Sequence, residues 1–283
     1  MDILQFIPGF ICIAIALIVM FRMMHYAKFY APSYFFWIGA IITIVGLISL
    51  VHPLSFLFIL NRTIAIIVIV EGVLISVTSL LSPVTIKHSA TNNQKADELL
   101  PEYTFNEVHE VQVKASVEKA KQILQTTGVK DIPAAHLLMK IRGIANEDAD
   151  TSNFAAKSNV SSDTVSTPDF NYFVVSPNEW ITGMILKSAI ISNGDMKPAP
   201  PEITSLQQFA SFNEPGYVKV TANFRFIATD PHNTLLTTET RVKGITLNDN
   251  RTFGYYWRII YPGSAIIRRV WLDTIKKRAE KKQ

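Results

Sequence analysis

The side chains that could do chemistry in this sequence are few and scattered. The six histidines, His25, His52, His88, His109, His136 and His232, include no close pair and no HExxH. Nothing therefore has the spacing that places two imidazoles on one helix face around a metal. The single cysteine, Cys12, sits inside an apolar run. That excludes a disulfide scaffold, an iron–sulfur cluster and a Cys-rich zinc site, and it makes a poor nucleophile. No GxSxG, Walker A or GxGxxG occurs, so hydrolase, NTPase and dinucleotide readings lack support. No catalytic residue, metal or cofactor is expected. Glu239 and Arg241 stand two apart and share one face of a predicted strand, with Arg225 opposite on its neighbour. They form either a polar floor that orients a ligand head group or an exposed ion pair worth about 0.2–1 kcal/mol. Alternation gives Leu236, Thr238, Thr240 and Val242 the core face, so Glu239 and Arg241 are expected outside. His109 is also expected to face outward into solvent.

The elements that hold these residues begin with an apolar third. Hydrophobic residues make up 48% of the 283 and charged residues 18%, against about 25% charge in an ordinary soluble domain. The deficit concentrates in three runs, Ile3–Met24, Tyr34–Val51 and Thr63–Leu81. A helix rises about 1.5 Å per residue, so runs of roughly 18–22 residues cross a hydrocarbon core of about 30 Å. Three N-terminal transmembrane helices are expected over residues 1–86. The first is expected to be retained, because it lacks a basic leader and a small-residue cleavage site. Glu71 lies halfway along the third run. It is either a functional group within the membrane or a carboxyl hydrogen-bonded to Thr43, Ser49 or Ser76. Gly39 and Gly46 would permit close helix packing. Arg22, His25 and Lys28 flank one side of the spans, as do Lys87, His88 and Lys95. The basic-residue rule then places the C-terminal domain in the cytoplasm, beneath an inner (plasma) membrane crossed several times.

Residues 87–99 read as a polar linker, and residues 100–283 as a soluble domain. Phe105–Ala115 reads as a strand with one slip in its alternation near His109. Ser116 caps a helix over Val117–Thr127, and Ala134–Arg142 reads as a second helix. Asn146–Pro168 and Asn193–Pro201 read as loops. Phe170–Ser176, Glu179–Ile191, Ser205–Asn213, Tyr217–Ala228 and Thr234–Ile245 read as strands, the last three joined by turns at Asn213–Gly216 and Asp230–Asn233. In the strand from Tyr217, Val218, Val220, Ala222, Phe224 and Phe226 face a core, and Lys219, Thr221, Asn223 and Arg225 face water. A helical segment over Asp249–Lys281 ends the chain. Pro262 is expected to kink or break it, with Ser264 as a new N-cap. Strands and helices are segregated, so the fold class is α+β.

This order resembles the helix-grip fold of the START-like (SRPBCC, Bet v 1-like) superfamily, which also holds polyketide cyclase-like members. Leu100-Pro101-Glu102-Tyr103, Thr237–Val242, Phe253, Tyr256-Trp257-Arg258, Pro262-Gly263-Ser264, Ile267-Arg268-Arg269 and Ala279-Glu280 carry the likeness, over about residues 100–281. The resemblance implies a curved antiparallel sheet wrapped on a long C-terminal helix, with a cavity for a hydrophobic ligand between them. We expect Leu137, Ile141, Phe224, Phe226, Leu236, Tyr256, Trp257 and Ile260 to line it. Arg268, Arg269, Lys276 and Lys277 are expected at an anionic membrane surface, or else on a solvated helix face. The net charge of +4 and the lack of a reading helix argue against nucleic acid. The expected partners are thus the membrane and a lipid or other hydrophobic small molecule; whether a protein partner exists is left open. The reading is a membrane-anchored module binding a lipid-like ligand. The alternatives are a cyclase- or aromatase-like enzyme, which needs an acid or base inside the chamber, and a structural membrane subunit that binds nothing.

Overall fold

The computed structural model describes residues 7–26, 30–89, 94–127, 165–167, 170–189 and 206–281. The helix expected at Ala134–Arg142, with Leu137 and Ile141, lies outside them. The chain divides into two compact units, Met1–Pro83 with Trp257–Pro262, and Val84–Tyr256 with Gly263–Gln283. The first boundary falls close to the expected end of the anchor. The second unit of the sequence reading loses residues 257–262 to the first.

In the first unit, α1 is Ile7–Tyr26, α2 Ala31–Val51 and α3 Arg62–Leu80. Among the described residues two helices, α2 and α3, are long and apolar enough to cross a membrane, not three. In α1 the apolar stretch is Ile13–Arg22. Asn61 caps α3 by accepting a hydrogen bond from Ile64 N, as orphan amides at a helix start require.

Helices α2 and α3 meet through small residues. A Cβ on Gly39 would come within 2.5 Å of Ser76 Oγ and 2.6 Å of Gly72 O, and one on Gly72 within 2.6 Å of Thr43 N. Two backbones approach this closely only where side chains are absent. Ser76 donates to Phe36 O at 3.2 Å, and Ser79 donates to Pro32 O. These cross-helix bonds make the pair antiparallel. The hydroxyls proposed for Glu71 are otherwise engaged: Thr43 bonds Gly39 O and Ser49 bonds Val45 O. Glu71 stands on the exposed side of α3.

The second unit opens with β1 (Lys87–His88), α4 (Lys95–Leu99) and β2 (Glu102–Tyr103), where β1 and β2 pair. The expected linker thus contains a helix, and its Asp97 is buried. There follow β3 (Phe105–Val113), α5 (Val117–Gln125), β4 (Val165–Thr167), β5 (Phe170–Ser176), β6 (Glu179–Lys187), α6 (Leu206–Ser211), β7 (Tyr217–Asp230), β8 (Asn233–Gly244) and α7 (Leu247–Glu280). The expected loop over 146–168 therefore holds a short strand. Six strands form one antiparallel sheet in the order β3-β8-β7-β6-β5-β4. The fold is α+β, with an antiparallel sheet and a long terminal helix, as the sequence implies.

Two further elements differ from expectation. Ser205–Asn213 holds a helix, because Leu206, Phe209 and Phe212 recur at helical spacing and bury Phe209 and Phe212. Helix α7 runs unbroken for 34 residues through Pro262. A capping box between Thr246 and Asp249 starts it, so Ser264 is an interior residue and not a cap.

The sheet buries both faces. On one, Phe224, Phe226, Trp180 and Leu236 join Val111 and Val113 of β3, Leu272 and Ile275 of α7, and Leu124 of α5 in a single core. On the other, Ile181 and Ile185 pack with Phe209, Phe212 and Ala96. The second face is therefore not in water: Thr221 and Asn223 are each 1% exposed. Helices α4 and α6 cover it.

Gly39→Leu should lower the thermal midpoint of the detergent-solubilised protein by the equivalent of about 1–3 kcal/mol, because the added side chain forces α2 from α3. Ile41→Leu on the exposed side should leave it within error. Equal midpoints for both, read by size-exclusion after heating, would contradict the close approach.

Candidate functional site

The register of β3 decides what its polar residues do. Phe105, Glu107, His109, Val111 and Val113 alternate without a slip and pair with Val242, Thr240, Thr238, Leu236 and Thr234. Glu107 and His109 thus point to the same face as the aromatic core, and they are 1% and 3% exposed. The expectation that His109 faces solvent is corrected. The apparent slip was two polar residues occupying core positions in phase.

Residues of α7, β8 and β7 complete the group. His109 Nε2 lies 2.8 Å from Glu107 Oε1. Ser264 of α7 donates to Glu107 Oε2 at 2.8 Å. Arg268, one turn further along, has Nε 3.8 Å from the same oxygen, and its Nη1 donates to Thr238 Oγ1 at 2.9 Å. Thr238 in turn donates to Asn223 O at 2.7 Å. The Thr240 hydroxyl, directly across from Glu107, is buried without a hydrogen-bond partner among the described residues. The carboxylate stands between hydroxyl and imidazole. Ser264 therefore gives its proton to Glu107 and is not activated by His109, and the order needed for a nucleophilic triad is reversed. What the group offers is a carboxylate, an imidazole, a guanidinium and a hydroxyl set within an apolar wall. Such a set can bind a polar group or hold a proton.

The opposite face carries a second buried network. Arg241 is 3% exposed; its Nη2 lies 2.7 Å from Asp97 Oδ1 and its Nε 2.9 Å from Glu239 Oε1. It also donates to Leu100 O at 3.3 Å and sits 4.9 Å above the Tyr103 ring. The face assigned to Glu239 and Arg241 holds, but their exposure does not, because α4 shields them. Burial pushes the Asp97 carboxyl up, yet hydrogen bonds from Ser89 and Arg241 outweigh it and hold Asp97 below its usual range. With its donors engaged in this way, Arg241 reads as structural. Near it, Asn223 Nδ2 donates to Glu179 Oε1 at 2.7 Å, and Lys95 N donates to Glu179 Oε2 at 2.8 Å. A pocket of about 570 Å³ opens beside Gln94, Lys95, Glu98, Glu179 and Arg225, and its charged rim does not suit an apolar ligand.

The other expected site residues are spread. Phe224, Phe226 and Leu236 lie in the core beside α7. Tyr256 packs on Phe253 with centroids 5.5 Å apart, whereas Trp257 and Ile260 belong to the first unit. Of the basic residues expected at a membrane surface, Arg268 turns inward. Arg269 donates to Glu110 O at 3.0 Å and Lys276 to Gln112 O at 2.6 Å. Both carbonyls lie on β3, the edge of the sheet, so these side chains close an otherwise open row of acceptors. Lys277 is exposed. Glu107, Ser264 and Thr240 went unnoticed as chemistry; only the break in hydrophobic alternation marked the first.

Compared with known protein families, curated proteins and solved structures, the chain matches none.

Two measurements check the buried charges. Arg241→Ala strands Asp97 and Glu239 and should cost about 3–5 kcal/mol in denaturant unfolding; a loss below ~1 kcal/mol would mean the network is solvated. Burial, reinforced by Lys243, lowers the Lys219 ammonium to about 8. The unfolded chain then binds more protons than the folded one above pH 8, so stability should rise with pH until the normal lysine value is passed. The thermal midpoint of Lys219→Met should lack that rise, and parallel profiles for the two proteins would exclude the effect.

Proposed function

We propose that this chain is a membrane-anchored, START-like module that binds a lipophilic small molecule between the inner face of the sheet and α7. Its apolar part would lie against Trp180, Phe224, Phe226 and Trp271, and its polar group would meet Glu107, His109 and Arg268. The observation that carries the reading is the charged group in the middle of that apolar wall. Buried ions cost several kcal/mol each, and here Arg268 Nε stands 3.8 Å from Glu107, a looser pairing than the one that holds Arg241. The sheet order, with the first strand beside the last and a terminal helix on one face, supports the START-like assignment.

Apolar contact at about 25 cal/mol per Å2 supplies affinity without catalysis, and anchoring keeps the module beside a lipid reservoir. The apolar side chains pack on one another, so loading requires α7 to separate from the sheet. Basic residues before α2 and after α3 would place the sheet unit in the cytoplasm, on the inner membrane. Two spans leave that side unchanged from three. Two rivals have their own support. The His109–Glu107 pair is an acid–base candidate for a cyclase-like reaction, and the closed core suits a structural subunit.

Native mass spectrometry of the detergent-extracted protein separates these readings. A bound lipid-sized mass is expected on the wild type and should fall at least fivefold in Glu107→Gln, which keeps the shape and removes the charge. A bare wild-type mass would leave the structural subunit.

A further inference from the structure

We infer that the turn Trp257–Pro262 of α7 contacts the membrane interface, at the boundary of headgroups and acyl chains on the side where α2 begins and α3 ends. The inference rests on α2 and α3 crossing a membrane, and not on any ligand of the sheet unit. Ser79, near the end of α3, donates to Pro32 at the start of α2. In an antiparallel pair those two ends lie at one depth. Aromatic rings gather there, with Trp37 exposed and Tyr34, Trp257 and Tyr261 buried behind it. Tyr30, Tyr34 and Trp37 come from the start of α2, and Trp257 and Tyr261 from α7. The Tyr30 and Tyr261 rings are 5.1 Å apart, and those of Trp257 and Tyr261 5.9 Å. Residues 38–80 contain no Trp or Tyr, so the other end of the hairpin has no such belt.

Indole and phenol rings collect at a membrane boundary because the ring body favours acyl chains while its N–H or O–H needs a polar partner. Trp37 fits this description. It is 42% exposed, and its Nε1 donates to Ile259 O at 3.0 Å. Arg258 adds a cation at the same depth. Its Nη1 donates to Leu80 O at 2.7 Å and its Nη2 to Ser82 O at 2.6 Å, which satisfies carbonyls that the end of α3 leaves unpaired. A guanidinium tied to a helix terminus stays at the level where that helix leaves the hydrocarbon. The turn Trp257–Pro262 is therefore held at that depth by its contacts with the ends of α2 and α3.

Spin-label accessibility in the full-length protein, reconstituted in lipid nanodiscs, tests this. On a Cys12→Ser background, a nitroxide is placed at Ile260→Cys, with Ile67→Cys in mid-span and Lys277→Cys as references. The ratio of collision rates with oxygen, which enters the bilayer, and with a water-soluble nickel chelate cancels shielding by protein. Ile260 should fall between the two references. A ratio equal to that of Lys277 would place the turn in water, and one equal to that of Ile67 would place it in the hydrocarbon; either overturns the inference. Should the label disturb the helix, Trp37 gives an independent reading. The emission lost in Trp37→Phe should be quenched more by lipids brominated near the headgroup than near the methyl end, and the reverse order overturns the assignment equally.

Discussion

A proline inside a long helix leaves a carbonyl without a donor, and that constraint organises the first unit. Pro262 has no N–H, so Arg258 O loses its partner one turn back. Ser33 at the start of α2 donates to that carbonyl, and Trp37 serves the next one, Ile259 O. The exchange runs the other way as well. The Arg258 side chain reaches the carbonyls at and beyond the end of α3. Each helix thus supplies donors that its neighbour lacks, which is why residues 257–262 group with α2 and α3 and α7 continues unbroken. Break and kink were both reasonable expectations for Pro262; external donors remove the need for a break.

The sheet unit handles buried polarity differently on its two faces. Around Arg241 nearly every donor direction meets a carboxylate, a carbonyl or a ring, and α4 seals the arrangement. Around Glu107 the pairing is looser, with Arg268 Nε 3.8 Å from the carboxylate; each face keeps one idle hydroxyl among the described residues, Thr240 across from Glu107 and Thr221 across from Arg241. A closed network favours one conformation, and an incomplete one leaves capacity for a further polar group. That looser pairing, set among the aromatic side chains of the core, is the reason to look for binding on the α7 face.

Much of this was legible in the residues. The alternation in β7 and β8 fixed which side chains share a face, and Phe224, Phe226 and Leu236 lie in the core as their spacing requires. Pattern could not reveal what covers the second face, because α4 and α6 are short and lie in polar surroundings. Lys219, Asn223 and Arg241 therefore looked solvated. His109 was misread for a related reason: polar residues at core positions imitate an irregular strand. The basic residues of α7 looked like a surface patch because a helix sequence does not record the strand edge that accepts from Arg269 and Lys276. Leu206, Phe209 and Phe212 were spaced as a helix, but the β-rich context hid it. In the anchor, the glycines of α2 were readable, because Gly39 and Gly46 recur on the side that meets α3.

The closure of the β3 edge by α7 has a consequence for biogenesis. Lys276 and its acceptor Gln112 are 164 residues apart, and among the described residues β3 pairs with β8 alone. At roughly 5–20 residues per second, the ribosome delivers the covering helix on the order of ten to thirty seconds after the strand. Until then one edge of β3 keeps its acceptors open to cross-β association, even after β8 has paired with the other.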